Sequence, residues 1–409
     1  MNFLKASIGL TIIFLPLYVI RFKIFGFPST LLEASIGLTF LTWIIVFFRK
    51  IPSKIEYLKK NFNSLIPQTI LLATTALIAA IYSRDFPHSL GIYRAYILEP
   101  IIFYLVVASF LRKEKSVRTI LHSLVISGLG ISLFSFWQFF SGTSALAPYE
   151  IFQSRVSAVY NSANAVGLYL GPIIALVFFV LAGKEKKNVF YLISLFLMLT
   201  AIILSQSRGA IVGIFAIFIT FLIYQIYLRV EATWKVIMKR IVVVSIGLIL
   251  LLGIWFFFNI SNFSPKSGLV YPRPYQDTGV IRICLWEGTR NLLFHHPIEG
   301  AGLNGFPKLY EKYRTCDTEL FQYPHNIFLN FWTEFGILGL ASFIWLVISI
   351  IRICFGKIKI PLAAGIVAAL VYIFAHGLFD VPYLKNDLSV QFWILAALTT
   401  NLITGPQKR

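Results

Sequence analysis

Charge is what this sequence lacks most. Asp, Glu, Lys and Arg make up 13% of its 409 residues, against roughly 25% in a soluble domain. So few charges cannot cover the water-facing surface of a chain this long, which excludes a soluble globular fold. Acidic residues are the scarcer kind, 17 against 36 basic ones. Cysteine is nearly absent: Cys284, Cys316 and Cys354 form no CxxC pair, so neither a metal knuckle nor a dithiol redox centre is expected. Zinc-finger spacings, RNA-binding signatures and basic amphipathic helices are missing too, so the formal net charge of +19 does not point to nucleic acid. Strand-length alternation of apolar and polar residues is also lacking, which excludes a membrane β-barrel.

What is present is hydrophobic sequence, 58% of the chain, with a mean hydropathy of +0.79. It is gathered into twelve apolar runs, at about 3–20, 31–48, 66–82, 90–111, 118–140, 164–182, 188–204, 208–228, 240–258, 325–351, 360–378 and 388–404. A bilayer takes ~20 residues per helical crossing, and in lipid the backbone must satisfy itself, so each run predicts an α-helix. The expected fold is all-α: one polytopic integral membrane domain of about twelve helices. Helices one to nine would occupy 1–258, a large loop with short helices 259–324, and helices ten to twelve 325–409. Lys5 precedes an apolar run to Ile20 with no small-residue cleavage site, which reads as a retained first span.

Basic residues orient the chain. With a cytoplasmic N-terminus, one side holds 22 Lys and Arg and the other 14, seven of them in the single long loop, which the positive-inside rule discounts. Both termini are then cytoplasmic in the cell (inner) membrane, and the loop is extracytoplasmic. That loop, about Asn259 to Pro324, is nearly neutral, and a loop of this length calls for a function. Its middle has helical periodicity, with Arg282, Trp286 and Arg290 on one face, and a glycine-rich turn system follows over Glu299–Pro307. Cys284 and Cys316 share this loop. Either a disulfide or two free thiols fits an external position, and free thiols are the simpler reading.

Three short segments on the external side carry candidate chemistry. Ser205-Gln206-Ser207-Arg208-Gly209 is the whole connection between spans seven and eight. Arg208 is either an interfacial anchor that snorkels to headgroups or an anion receptor, since a guanidinium pairs with phosphate. Arg282-Ile283-Cys284-Leu285-Trp286 offers a second arginine, whose plain alternative is a solvated charge over Trp286. Tyr323-Pro324-His325-Asn326 opens span ten. From there Asn326, Asn330 and Glu334 recur every fourth residue, a polar stripe that must face protein or water. His325 is either a helix-start residue or a base, because imidazole titrates near neutral pH. Glu99 near mid-span in helix four reads as a structural pair with Arg94, and His376 with Asp380, four residues apart, as a local pair.

The segments "SQSRGAIVG" around Arg208, "RICLWEGTRNLLFHHPIEGAGLNGF" from Arg282, "HNIFLNFWTEFGILG" from His325 and "RVSAVYNSANAVGLYL" from Arg155 together resemble the O-antigen ligase and polymerase family of bacterial membrane glycosyltransferases. The resemblance implies transfer of a glycan from a polyprenyl-diphosphate carrier (undecaprenyl diphosphate) to an acceptor hydroxyl outside the membrane, with no metal and no cofactor. Carried onto this sequence, Arg208 and Arg282 bind the diphosphate, and His325 activates or orients the acceptor. Arg155, Asn164, Arg290, Tyr323, Asn326, Asn330 and Glu334 are then candidate substrate-binding residues, with Tyr160, Arg273 and Glu299 as secondary candidates. The partners implied are the lipid-linked donor, a glycan, lipid or protein acceptor, and the bilayer. Such enzymes build lipopolysaccharide and other cell-envelope polymers. A polymerase of surface polysaccharide is the alternative within the family, and a membrane transporter the alternative outside it. Convergence of Arg208, Arg282 and His325 on one external cavity separates the glycosyltransferase readings from the transporter.

Overall fold

The computed structural model describes residues 2–24, 26–48, 65–111, 114–143, 147, 150, 154–183, 188–230, 255, 258–259, 278–316 and 320–404. Eleven of the twelve apolar runs become helices or helix segments. The run 240–258 lies outside the described residues apart from Trp255 and Phe258, and Arg273 lies outside them entirely. In chain order the helices are α1 (Asn2–Ile13), α2 (Leu31–Phe48), α3 (Ile66–Tyr82), α4 (Phe86–Tyr93), α5 (Glu99–Phe110), α6 (Glu114–Ser141), α7 (Ala163–Ala182), α8 (Val189–Ser205) and α9 (Arg208–Arg229). Then follow α10 (Thr278–His295), α11 (Phe306–Tyr310), α12 (Ile327–Gly356), α13 (Pro361–Gly377) and α14 (Asn386–Thr404). Among the described residues, five stretches are long and apolar enough to cross a membrane: Phe86–Phe110, Ser116–Ser141, Ala163–Ala182, Arg208–Arg229 and Ile327–Gly356. Five shorter helices are apolar as well. This is the architecture of a multi-pass membrane protein.

Burial separates centre from rim. Nearly every residue of α7 is buried, α13 packs along it, and α14, also largely buried, packs mainly on α5. α9 instead turns Ile211, Phe215, Phe218 and Leu222 outward, Phe215 at 64% exposure. Leaving such side chains in water forgoes roughly 1.5–3 kcal/mol each, so this face is stable against lipid.

Two local features correct the sequence reading. The first run does not stay helical to Ile20. α1 ends at Ile13, a 3-10 turn follows over Leu15–Val19, and a hairpin pairs β1 (Arg21–Ile24) with β2 (Phe27–Thr30). Pro16 stands in the turn's first positions, and a proline there removes a helix donor. The chain reverses at Gly26, whose φ of +84° suits glycine. The fold is therefore helical with one two-stranded hairpin, not purely α. The second adds a partner at Glu99. It sits 3.3 Å from Arg94 across the π-turn Arg94–Leu98, the pair expected, and Arg94 also pairs at 2.8 Å with Glu33 in the first turn of α2.

The glycine-rich turn also acts structurally. Ala301 N–H donates to Thr333 O at 2.7 Å, and Ile337 N–H to Ile298 O at 3.0 Å. The second bond replaces a helical one, and α12 breaks at Gly336, where φ is +70°. Any side chain there would meet the Ile298 carbonyl.

Candidate active site

Helix ends bring the candidate residues together. Ser207 caps α9, its hydroxyl accepting from Ala210 N–H at 3.4 Å, so Arg208 is the first helical residue and is exposed. A cation at a helix N-terminus opposes the macrodipole, a cost of about 0.3–1 kcal/mol. The same position adds a guanidinium to free backbone N–H groups, which favours an anion. The hairpin before it is tight: Gln206 adopts φ +50°, and a Cβ on Gly209 would lie 2.5 Å from His376 Cδ2.

Arg282 comes from the second turn of α10 and is half-buried. Burial pushes its guanidinium pKa down, the Asp380 carboxylate pushes it up and the Arg208 charge pushes it down again; the net direction is downward. Its Nε has no hydrogen-bond partner among the described residues. α10 is tied to the third segment by Trp286, whose indole N–H donates to Pro324 O at 2.9 Å.

His325 follows in left-handed backbone, φ +48°. A non-glycine residue in that region costs of order 1–3 kcal/mol and is common at functional sites. Its ring meets Tyr323 and Phe321 edge-on at 4.8 and 5.4 Å between centroids. Its Nδ1 stands 3.4 Å from Asp380 Oδ1, an ion-pair contact longer than a formed hydrogen bond. Catalytic contacts are often loose before substrate binds.

Asp380 is the hub. Its Oδ2 accepts from Asn164 Nδ2 at 3.1 Å, and Asn164 Oδ1 accepts from Arg155 at 3.0 Å. Arg155 also donates to Ser205 O at 3.1 Å and pairs with Glu150 at 2.9 Å. Burial raises the Asp380 carboxyl, but His325, Lys385 and His376 outweigh it and hold the group well below the usual carboxylate range. His325 and Asn164 thus meet at one buried carboxylate, Arg155 reaches it through Asn164, its charge is felt at Arg282 and Tyr323, and the charge of Arg208 is felt at Arg282.

Other expected site residues are not brought there. Arg290 is about 12 Å further along α10 than Arg282, eight residues at 1.5 Å each. It donates to Phe258 O at 3.2 Å and lies over the Phe294 ring. Asn326 is the N-cap of α12: its Oδ1 accepts from Phe328 and Leu329 N–H at 3.0 and 3.1 Å, and its amide donates to Leu378 O. Glu334 accepts from Asn304 N–H. These last two serve the backbone, so the stripe is largely structural. Asn330, the middle member, is 1% exposed, with neither amide atom hydrogen-bonded among the described residues. Glu299 pairs with His296 at 2.8 Å, and Tyr160 donates to Asp387 at 3.1 Å in the core.

Sequence reasoning missed Asp380 as a site residue. Helical spacing pairs it with His376, and the two groups do act on each other electrostatically, but α13 ends at Gly377, the His376 ring bonds to Tyr372 at 3.3 Å, and the carboxylate faces His325. The available signal was the density of ionisable groups between the last two spans, Asp380, Lys385 and Asp387. The cysteines are corrected as well: Cys284 and Cys316 are joined in a disulfide, with Cα atoms 5.8 Å apart.

Residues 193–344 match the family model described as O-antigen ligase. The chain is also similar to the ComP-specific O-oligosaccharyltransferase of Acinetobacter baylyi, 26% identical over 248 residues, which is 56% of this chain and 42% of that protein. The match therefore spans less than half the length of that relative. The segment matched by the family model is the one that holds Arg208, Arg282 and His325, and both comparisons support the likeness to the O-antigen ligase family.

Proposed function

We propose that this protein is a membrane glycosyltransferase that moves a glycan from a polyprenyl-diphosphate carrier to an acceptor hydroxyl on the extracytoplasmic face. The observation that carries this reading is the contact of His325 with Asp380, beside Arg282, which feels the charges of both Asp380 and Arg208. Two guanidiniums near one another repel, and an entering anion relieves that repulsion. A diphosphate at the membrane boundary, its polyprenyl tail still in lipid, is such an anion.

The step follows from these positions. The acceptor hydroxyl gives its proton to His325 Nε2, since Nδ1 faces Asp380. The oxygen attacks the anomeric carbon as the bond from that carbon to the diphosphate oxygen breaks. The bonding pair leaves with the diphosphate, where Arg208 and Arg282 offset the developing charge. Attack from the face opposite the leaving group inverts the anomeric centre. Asp380 holds the imidazole and offsets its charge once it is protonated. The step as written balances without metal or nucleotide.

Location rests on the basic-residue count, with the loop outside and both termini in the cytoplasm. The Cys284–Cys316 disulfide supports it, because such bonds persist in oxidising compartments. The transferase reading is favoured over a transporter by the likeness to O-antigen ligases, and Glu99 and Glu33 have a structural partner in Arg94.

The test is a reconstituted assay with a synthetic polyprenyl-diphosphate glycan and a panel of acceptors. Transfer to one acceptor class, with an inverted linkage by NMR, is the expected result. No transfer to any acceptor, or tags placing 259–324 in the cytosol, refutes the proposal.

A further inference from the structure

Two buried polar side chains next to the site take no part in the transfer step. Tyr372 and His376 stand one turn apart on α13, 0% and 1% exposed. They fill a notch between α7 and α9, near the starts of both helices. A Cβ on Gly171 or Gly213 would overlap the Tyr372 ring. One on Gly209 would lie 2.5 Å from His376 Cδ2 and 2.8 Å from its Nε2. Gly209 directly follows Arg208, so the edge of the imidazole lies against the backbone that carries that guanidinium. The ring is also fixed in rotation. The Tyr372 hydroxyl spends its one proton on Gly167 O at 2.7 Å, so the 3.3 Å contact between that hydroxyl and His376 takes its proton from Nδ1.

We propose that His376, locked by Tyr372, is a positioning residue: its ring sets where the first turn of α9 stands and so aims Arg208 at the donor diphosphate. The ligand in this statement rests on the transferase reading above; the geometry does not. The first turn of α9 needs such a support. Arg208 opposes the helix dipole there, and its charge is felt at Arg282, so like charges also favour displacement. Two apolar side chains could fill the same notch. A histidine and a tyrosine bonded to each other and to Gly167 O cost more to bury but admit a single arrangement. Four residues beyond His376, Asp380 accepts from Asn164 in the first turn of α7. One segment therefore fixes Arg208 through the ring and His325 through the carboxylate. A reacting group displaced by about 1 Å can cost about 10²-fold in rate, which gives a rigid support its value.

The test adds a methyl group and then removes what it meets, in the full-length protein in nanodiscs. Spin labels at Ile211→Cys and Glu311→Cys, both exposed positions, report the place of the α9 start by dipolar EPR. Gly209→Ala should shift that distance distribution, and adding His376→Ala, which takes away the ring, should shift it back. Farnesyl diphosphate is the binding probe. Gly209→Ala should weaken its binding about ten-fold, a large part of one charge-assisted hydrogen bond. His376→Ala added to it should recover about three-fold, and Tyr372→Phe, which keeps the ring but frees it, should weaken binding about three-fold. In the Arg208→Ala background neither Gly209→Ala nor Tyr372→Phe should cost anything further, whereas general loosening of the fold would still add its loss. If Gly209→Ala does not fold, Tyr372→Phe is read alone in both assays, with a broadened label distribution expected. Unmoved label distances, no recovery in the double variant, or losses that persist in the Arg208→Ala background overturn the proposal. Label distances that move and recover, with no farnesyl diphosphate bound by the wild type, uphold the part His376 plays in placing Arg208 and remove the transferase reading.

Discussion

Replacing Asp380 with Asn tests the hub directly. The substitution keeps size but only one oxygen: Val381 N–H, which donates to Oδ1 at 2.8 Å, keeps its acceptor if that oxygen stays, and Asn164, which donates to Oδ2 at 3.1 Å, then loses its own. Lost with that bond is the charge 3.4 Å from His325 Nδ1. A positioned general base contributes about 10²–10⁴ in rate, and an imidazole that has lost its orienting anion forfeits a large share of that. The expected fall in kcat is about 10²-fold, or about 2.7 kcal/mol of transition-state stabilisation. Donor KM should change little, because Arg208 and Arg282 remain. The assay is single-turnover transfer with saturating donor, run as a double-mutant cycle with His325→Ala. If Asp380 acts through His325, adding Asp380→Asn to His325→Ala should cost nothing further. Fully additive losses, or full activity of Asp380→Asn, would refute the reasoning. The same carboxylate makes a stability prediction. Burial raises its pKa, but the surrounding positive groups hold it below its unfolded value near 4. Its contribution is present above pH ~4 and drains away as pH falls further. The stability gap between wild type and Asp380→Asn should therefore be full at pH 7 and shrink below pH ~4, read by thermal unfolding.

Arg208→Ala and Arg282→Ala should each lower transfer by about 10²–10³-fold, the scale of one lost transition-state charge partner, with membrane insertion intact. Full complementation in cells by either variant would remove that residue from the mechanism. Gly209→Ala should lower thermal stability by roughly 1–3 kcal/mol, because the new methyl meets the buried His376 ring; an unchanged unfolding temperature contradicts that packing. Removing the Cys284–Cys316 link, which closes a 32-residue separation, should cost about 2–4 kcal/mol by the chain-entropy account. Reductant should then lower the unfolding temperature of the wild type and leave Cys284→Ser/Cys316→Ser unaffected.

The helical runs were legible from hydropathy because lipid allows few backbone solutions. α2 and α3 begin and end where their apolar runs do. Arg208, Arg282 and His325 were legible because cations and an imidazole are conspicuous beside apolar spans. Sequence periodicity assumes that a helix continues, and the errors arose where it stops. α13 ends before Asp380, which frees that carboxylate to reach His325. Asn326 spends its amide on capping α12, and Glu334 meets a loop amide thirty residues back in the chain. Only tertiary packing decides which helix ends share one end of the bundle. Contacts such as Asn164 with Asp380, 216 residues apart, leave no periodic trace in one sequence.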